Sequence, residues 1–123
     1  MSVSYNEYHS FCKKKRLLKP KEYSYVFEKP YKISSGYFVI LYRPNKLTYS
    51  RLGLVISKRR LALSVQRNRV KRLIRESFRL HQKKLIGLDI IVLANTKTAT
   101  VSNELLYNRL DKKWIKLVGF SKK

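Results

Sequence analysis

The chain has 123 residues, enough for one compact domain with a single hydrophobic core and too few for two domains of ordinary size. Hydrophobic residues make up 44% of it, which excludes wholesale disorder, and it contains no run of about 20 apolar residues that would span a bilayer. Its 29 Lys and Arg against seven Asp and Glu give a formal net charge of +22, so we expect a polyanionic partner, with nucleic acid as the first candidate.

The N-terminal segment shows neither helix nor strand periodicity. It ends in a run of like charge that continues into Arg16, so residues 1–15 are predicted to be a mobile basic arm. Polar residues such as Asn6 and His9 interrupt any signal-peptide pattern, and we therefore expect a cytoplasmic protein. Cys12 is the only cysteine, so no intramolecular disulfide is possible, and we assign it no role.

The first predicted element is a short helix. Pro20 fits its first position, and the helix ends before Pro30. Tyr23, Val26 and Phe27 make an apolar stripe at helical spacing, which predicts that this helix covers a sheet.

Three strands are predicted further along the chain. Tyr37–Tyr42 is a run of β-favouring residues, and Arg51 to about Ser57 alternates larger and smaller side chains. The intervening Asn45–Ser50 makes a hairpin between these two strands plausible. Asp89–Ala94 is a continuous apolar run after one acid, which predicts a strand covered on both faces that pairs parallel within the sheet.

Two longer helices complete the pattern. One has about 18 residues and starts near Ser64, a possible N-cap. The last runs from about Ser102 to Leu117, with an apolar face made of Leu106, Leu110, Trp114 and Leu117. The order helix, strand, strand, helix, strand, helix predicts an α+β domain with a single small sheet packed with helices. We expect this one domain over residues 16–119 and a C-terminal tail over 120–123.

The long helix sorts its residues onto two faces. On a wheel of about 100° per residue, one side collects the residues predicted to face the sheet: Val70, Leu73, Ile74, Ser77 and Phe78. The other side and its flanks form what we call the cationic stripe: Arg67, Asn68, Arg69, Lys71, Arg72, Arg75 and Arg79. Between Lys58 and Lys84 lie eleven Lys or Arg and a single acid, Glu76, so intrahelical ion pairs cannot neutralise the stripe.

The cationic stripe has two interpretations. A run of charge is most often a solvated helix face, but the near absence of acids favours a surface for an external polyanion. Arginine offers a planar fork of donors that binds phosphate oxygens and stacks on bases, which favours nucleic acid over generic solubility.

The string from Arg67 to Arg79, Arg-Asn-Arg-Val-Lys-Arg-Leu-Ile-Arg-Glu-Ser-Phe-Arg, resembles the signature "RNR" helix of bacterial ribonuclease P proteins. The similarity extends over roughly residues 16–117 through Arg16-Leu17-Leu18, Tyr23 to Phe27, Leu52-Gly53-Leu54, Ser57-Lys58-Arg59, Asp89 to Leu93 and the Trp114 helix. The resemblance implies a fold like the second domain of ribosomal protein S5, with a left-handed βαβ crossover where chirality statistics favour a right-handed one.

The same resemblance implies a function. The protein would be a subunit of the ribonuclease P ribonucleoprotein, an endoribonuclease that removes the 5′ leader of precursor tRNA. Catalysis would reside in the RNA with its Mg²⁺, and the protein alone would bind no cofactor or metal and supply no catalytic residue. Its partners would be the catalytic RNA and precursor tRNA, with no membrane and no DNA.

Site residues are carried over by position. Those implied to contact the catalytic RNA, together with Arg79 from the cationic stripe, are Lys58, Arg59, Arg67, Asn68, Arg69, Lys71, Arg72, Arg75 and Arg79. A cleft between the first helix and the exposed sheet face would hold the single-stranded leader, with Tyr23, Phe27, Val39 and Leu41 as candidates. Each of these four could equally be ordinary core.

Protein-based catalysis finds little support in the sequence. The seven acids are scattered, His9 lies in the arm, and His81 lies late on the long helix, where it packs or points to solvent. Asp89 is interpreted as a structural cap rather than a metal ligand. The remaining alternatives are a basic ribosomal or assembly protein and a DNA-binding protein with its helix in a major groove. The RNR string argues against both.

Overall fold

The computed structural model of the chain describes residues 16–17, 19–34, 36–56 and 63–121, without the side chains of residues 120 and 121. Its elements in chain order are α1 (Pro20–Glu28), β1 (Tyr31–Ser34), β2 (Phe38–Pro44), β3 (Arg51–Val55), α2 (Ser64–His81), β4 (Leu88–Ala94), a 3-10 segment (Thr96–Thr100) and α3 (Asn103–Ser121). The predicted arm over residues 1–15, with Cys12, lies outside the described residues, so the domain boundaries stay a prediction.

The four strands form one sheet in the order β1-β2-β4-β3. β4 lies between β2 and β3, antiparallel to the former and parallel to the latter, which confirms the predicted parallel pairing of Asp89–Ala94. The hairpin predicted over Asn45–Ser50 is wrong. Six of the seven β4 residues are buried, so β4 takes a central position that separates β2 from β3.

The observed hairpin joins β1 to β2, with Tyr31 opposite Tyr42 and Ser34 opposite Val39. The sequence did not reveal β1, because three of its four residues are exposed and no apolar alternation marks it. The helix α2 connects the parallel strands β3 and β4 and so forms a βαβ unit. The left-handed sense of this βαβ crossover stays a prediction that rests on the resemblance to ribonuclease P proteins.

The two faces of the sheet carry two separate cores. On one face, Phe38 and Ile40 of β2 belong to the main core, which also contains buried side chains of α2 and α3. The intervening β2 residues Val39 and Leu41 are half-buried and lie on the other face, beneath α1. A smaller core of Leu17, Val26 and Ile91 lies on that second face.

The helices follow the predicted patterns closely. All five predicted core residues of α2 and all four of α3 are buried. Ser64 is the first helical residue of α2 rather than its N-cap, because Leu63 takes the N-cap position without a side-chain bond. Ser102 caps α3, its hydroxyl accepting a hydrogen bond of 3.2 Å from the backbone N–H of Leu105. None of the helices in the described part of the chain has the length and apolarity needed to cross a membrane.

The stripe predicted on α1 is only partly buried. Val26 is fully buried against the sheet, Tyr23 is half-buried, and the side chain of Phe27 is 46% exposed. The predicted stripe is therefore wrong for Phe27, because α1 packs on the sheet through Val26 and Tyr23, which contact the smaller core. Phe27 is left as exposed aromatic surface.

Candidate nucleic-acid interface

The exposed centre of the cationic stripe is formed by three residues of α2. Asn68, Arg72 and Arg75 are exposed, and the opposite face of the helix is closed by the main core. Among the described residues, neither Arg72 nor Arg75 forms a hydrogen bond or an ion pair, while Lys71 and Arg67 lie half-buried at the flanks. These two guanidinium groups are therefore open to solvent, and their predicted RNA contacts stay predictions.

Arg69 is held differently from the other stripe residues. Its guanidinium donates a hydrogen bond of 2.8 Å from Nε to Oδ1 of Asn103 and one of 3.0 Å from Nη1 to the carbonyl of Thr98. A third donor, Nη2, bonds the carbonyl of Val101. Arg69 thus ties α2 to the 3-10 segment and the start of α3, which gives it a structural task that helix spacing alone could not show.

Arg79 is also engaged within the protein. It forms an ion pair with Glu76 one turn earlier, and its side chain is only 13% exposed. This single ion pair compensates Arg79 and leaves Arg72 and Arg75 unpaired among the described residues, as expected from one acid on a strongly basic helix. Lys58 and Arg59 lie outside the described residues, so their predicted RNA contacts stay predictions.

The predicted leader cleft lies on the α1 face of the sheet. Tyr23 and Leu41 pack against the smaller core, and Val39 lies on the same face as Leu41. A Cβ on Gly53 would come within 2.8 Å of the Tyr23 ring, so the glycine lets the ring lie directly on the β3 backbone. With Phe27 exposed, all four candidates keep some accessible surface on this face.

One groove joins the cleft to the cationic stripe. It has a volume of about 220 Å³ at edge strand β3, and its lining includes Tyr23 of α1, Gly53 of β3, and Lys71 and Arg75 of α2. The backbone N–H of Leu17 donates a 3.0 Å hydrogen bond to the β3 carbonyl of Leu52 at the same edge. The sequence predicts Tyr23 and Arg75 in separate sites. The only sequence signal of their proximity is Gly53, because a glycine inside a strand often marks a close approach.

Asp89 has a structural role, although it lies within β4 as an ion-pair partner and is not the predicted cap. Its carboxylate accepts two bonds from Arg51, at 2.8 Å from Nε and 2.7 Å from Nη2, and one of 2.8 Å from the amide of Asn45. The hydrogen bond from Arg51 to Asp89 raises the pKa of the guanidinium above its usual value, with burial acting in the opposite sense. Arg51 also pairs with Glu22, which joins α1 to the start of β3.

His81 packs between the two long helices. Its Nδ1 lies 2.9 Å from the carbonyl of Ser77, and its Nε2 lies 3.8 Å from a carboxylate oxygen of Asp111. Within the described ranges, no three His, Cys, Asp or Glu residues come together as a ligand set for a metal ion.

A model of the Ribonuclease P family matches residues 11–118, most of the chain. The chain belongs to the ribonuclease P protein family. The ribonuclease P protein component of Pasteurella multocida is 41% identical over 114 residues, covering 93% of this chain and 96% of that protein. That of Pseudomonas entomophila is 46% identical over 109 residues, covering 88% of this chain and 82% of the relative.

Solved ribonuclease P proteins share the fold. A mutant of the Staphylococcus aureus ribonuclease P protein superposes with a TM-score of 0.79 at 30% identity, covering 87% of this chain and 90% of that one. The Thermotoga maritima ribonuclease P protein gives a TM-score of 0.72 at 29% identity, covering 80% and 94%. Membership in the ribonuclease P family carries a general role in tRNA processing and makes the chain a protein component of an endoribonuclease.

Proposed function

We propose that this protein binds the catalytic RNA of ribonuclease P through α2 and the 5′ leader of precursor tRNA through the cleft beneath α1. It thereby assists removal of the leader in tRNA maturation. The observation that carries this proposal is the groove shared by Tyr23 and Arg75, because it joins a base-stacking surface to a cationic one.

The cationic stripe supports RNA binding through its exposed arginines. Arg72 and Arg75 project from a helix whose other face is fixed by the main core, so the helix backbone that carries them is in place before RNA binds. Neutralising phosphates with such groups releases condensed counterions, which favours association at moderate salt. Contacts of this kind position an RNA without reading its sequence. In the proposal Asn68 and Lys71 assist them, Arg69 acts mainly by tying α2 to the 3-10 segment and α3, and Arg79 is paired with Glu76 on its own helix.

The cleft supports binding of a single-stranded leader. Unpaired bases stack on aromatic rings, and the α1 face offers the rings of Tyr23 and Phe27 beside the half-buried Val39 and Leu41. Stacking tolerates any base, so one cleft would serve precursors with different leader sequences.

The proposal assigns the hydrolysis to the catalytic RNA and its bound Mg²⁺, which would activate the attacking water and stabilise the leaving oxygen. The described side chains fit a binding role, since their acids pair with arginines, as in Asp89 with Arg51, or lie apart from the groove. The protein would reduce phosphate repulsion between the two RNAs and grip the leader. The complex would act in the cytoplasm, with no part for DNA or a membrane.

The test is multiple-turnover cleavage of a 5′-extended precursor tRNA by a bacterial ribonuclease P RNA at low Mg²⁺, with and without this protein. Strong stimulation, absent when the RNA is omitted, is the expected result. A protein that binds the RNA tightly without raising the cleavage rate would contradict the proposal and would favour a ribosomal or assembly role.

A further inference from the structure

Tyr25 lies on the flank of α1 opposite to the leader cleft. Two residues along a helix turn the side-chain direction by about 200°, so Tyr25 points away from Tyr23 and Phe27. It contacts the C-terminal end of β2 instead. Its hydroxyl donates a hydrogen bond to the carbonyl of Pro44, and its own carbonyl accepts one of 2.7 Å from Nη1 of Arg43. The predicted site residues include neither Tyr25 nor Arg43.

Arg43 and Tyr25 form a stacked pair that is fixed before any ligand binds. The central carbon of the Arg43 guanidinium lies 3.9 Å from the centroid of the Tyr25 ring. The Tyr25 side chain is 37% exposed, so the pair presents a planar surface to solvent. Guanidinium planes and phenol rings both stack on nucleobases, and rings held in place lose little conformational entropy on binding.

The surroundings of this pair match a nucleic-acid strand. The pair borders an open groove of about 790 Å³, which is also lined by Lys29, Lys46 and Tyr31. Glu28 is the only acid in that lining, against the three cations Lys29, Arg43 and Lys46, so the charge around the stacked pair is mainly positive. The ring of Tyr31 is exposed and stacks on Tyr42 with centroids 5.5 Å apart, which keeps it at the rim.

We propose that Tyr25 and Arg43 form a second base-stacking site for single-stranded RNA, on the opposite flank of α1 from the leader cleft. One unpaired base stacks on the Tyr25–Arg43 pair, and Lys29 and Lys46 bind the phosphates that flank it. The inference goes beyond the proposed function, because the site needs neither the catalytic RNA nor tRNA cleavage to operate. A purely structural role for Tyr25 would require only its hydroxyl and its backbone.

The site-specific test uses the full-length protein and a short oligoribonucleotide that carries 5-iodouridine, which crosslinks under ultraviolet light to aromatic rings that stack on it. Crosslinked peptides are identified by mass spectrometry, with Tyr107, which packs against the main core, as an internal comparison. We expect a crosslink at Tyr25 and a fall of about fivefold or more in its yield in Arg43→Lys, which keeps the charge but removes the guanidinium plane. The yield at Tyr23 should not change.

The outcomes are distinguishable. A strong crosslink at Tyr25 that falls in Arg43→Lys supports the second site, even if the protein fails to stimulate precursor cleavage. The inference is overturned if Tyr25 is not crosslinked while Tyr23 is, or if its yield is the same in Arg43→Lys. The fluorescence of the buried Trp114 checks that the Arg43→Lys variant folds.

A pair of substitutions at one position separates stacking from structure. Tyr25→Phe loses the hydroxyl bond to Pro44 but keeps the ring, whereas Tyr25→Leu loses the ring. We expect Tyr25→Phe to bind the oligoribonucleotide like the parent and Tyr25→Leu to bind about tenfold more weakly. The slope of log affinity against log salt should stay unchanged in both, because no charge is removed. Equal binding by the Phe and Leu variants would overturn the inference.

Discussion

The indole N–H of Trp114 donates a 2.7 Å hydrogen bond to the hydroxyl of Ser77, and both side chains are fully buried between α3 and α2. Ser77 lies 3.4 Å from a carboxylate oxygen of Asp111, to which its hydroxyl donates. The pair matters for RNA binding indirectly, because it helps to fix the helix that carries the cationic stripe.

Ser77→Ala should destabilise the protein by about 1–3 kcal/mol, since it leaves the buried indole N–H of Trp114 without an acceptor. The free energy of unfolding is measured by denaturant titration. The exposed Ser24 on α1 provides a matched control, and Ser24→Ala should change stability by less than about 0.5 kcal/mol. Equal stability of the two variants would contradict the assigned role of Ser77.

Asp89→Asn should lower the free energy of unfolding by about 2–3 kcal/mol. The carboxylate is buried and accepts two bonds from Arg51, so its neutral replacement leaves that guanidinium partly uncompensated. Glu22→Gln serves as the comparison, because Glu22 pairs with the same arginine in a more exposed position and should cost less. A smaller loss of unfolding free energy for Asp89→Asn than for Glu22→Gln would show that the Arg51–Asp89 pair does not contribute more to stability than the Arg51–Glu22 pair.

Local sequence patterns predicted the helices well and the tertiary contacts poorly. The apolar spacing of α2 and α3 is strong enough to name their buried residues, and the apolar run of β4 indicates a central strand. The task of Arg69 depends on carbonyls about 30 residues away, including that of Thr98, which no helix wheel contains. The close approach of Gly53 to Tyr23 likewise joins residues that are distant in sequence.

Stability should decrease at alkaline pH because of Tyr42. Burial, and secondarily Tyr31, raise the pKa of the Tyr42 phenol in the folded protein. The unfolded chain ionises first, near its ordinary pKa of about 10, so above that pH the unfolded state binds fewer protons and the free energy of unfolding falls as pH rises. The contribution is fully present below about pH 10. Tyr42→Phe should show a shallower fall, which unfolding titrations across this range measure; identical slopes would contradict the assignment.

Arg72→Ala and Arg75→Ala should each weaken RNA binding and reduce the slope of log affinity against log salt by about 0.7–1, because each removes one phosphate contact. Neither should alter thermal stability, since both side chains are exposed and lack partners among the described residues. Binding is measured over a salt series with the catalytic RNA.

Arg69→Ala is compared with Arg72→Ala and Arg75→Ala, because Arg69 has a structural role that the other two lack. Its guanidinium bonds the carbonyls of Thr98 and Val101, so we expect a loss of about 1–3 kcal/mol in the free energy of unfolding. An unchanged salt slope in both Arg72→Ala and Arg75→Ala would contradict the assignment of the stripe to phosphate binding.

Gly53→Ala tests the leader cleft, because Gly53 is the residue that lets the Tyr23 ring lie on the β3 backbone. The added methyl group would come within 2.8 Å of the far end of the Tyr23 ring, which can swing away, so the cost in stability should stay below about 1.5 kcal/mol. The displaced ring would no longer offer the same face to a leader base. The quantity measured in cleavage assays is the ratio of the affinity for a long-leader precursor to the affinity for a leaderless one. We expect this gain to fall about fivefold or more in Gly53→Ala. Gly36→Ala, where a Cβ meets no atom within 4 Å, should keep that gain. If both variants keep it, Tyr23 does not bind the leader.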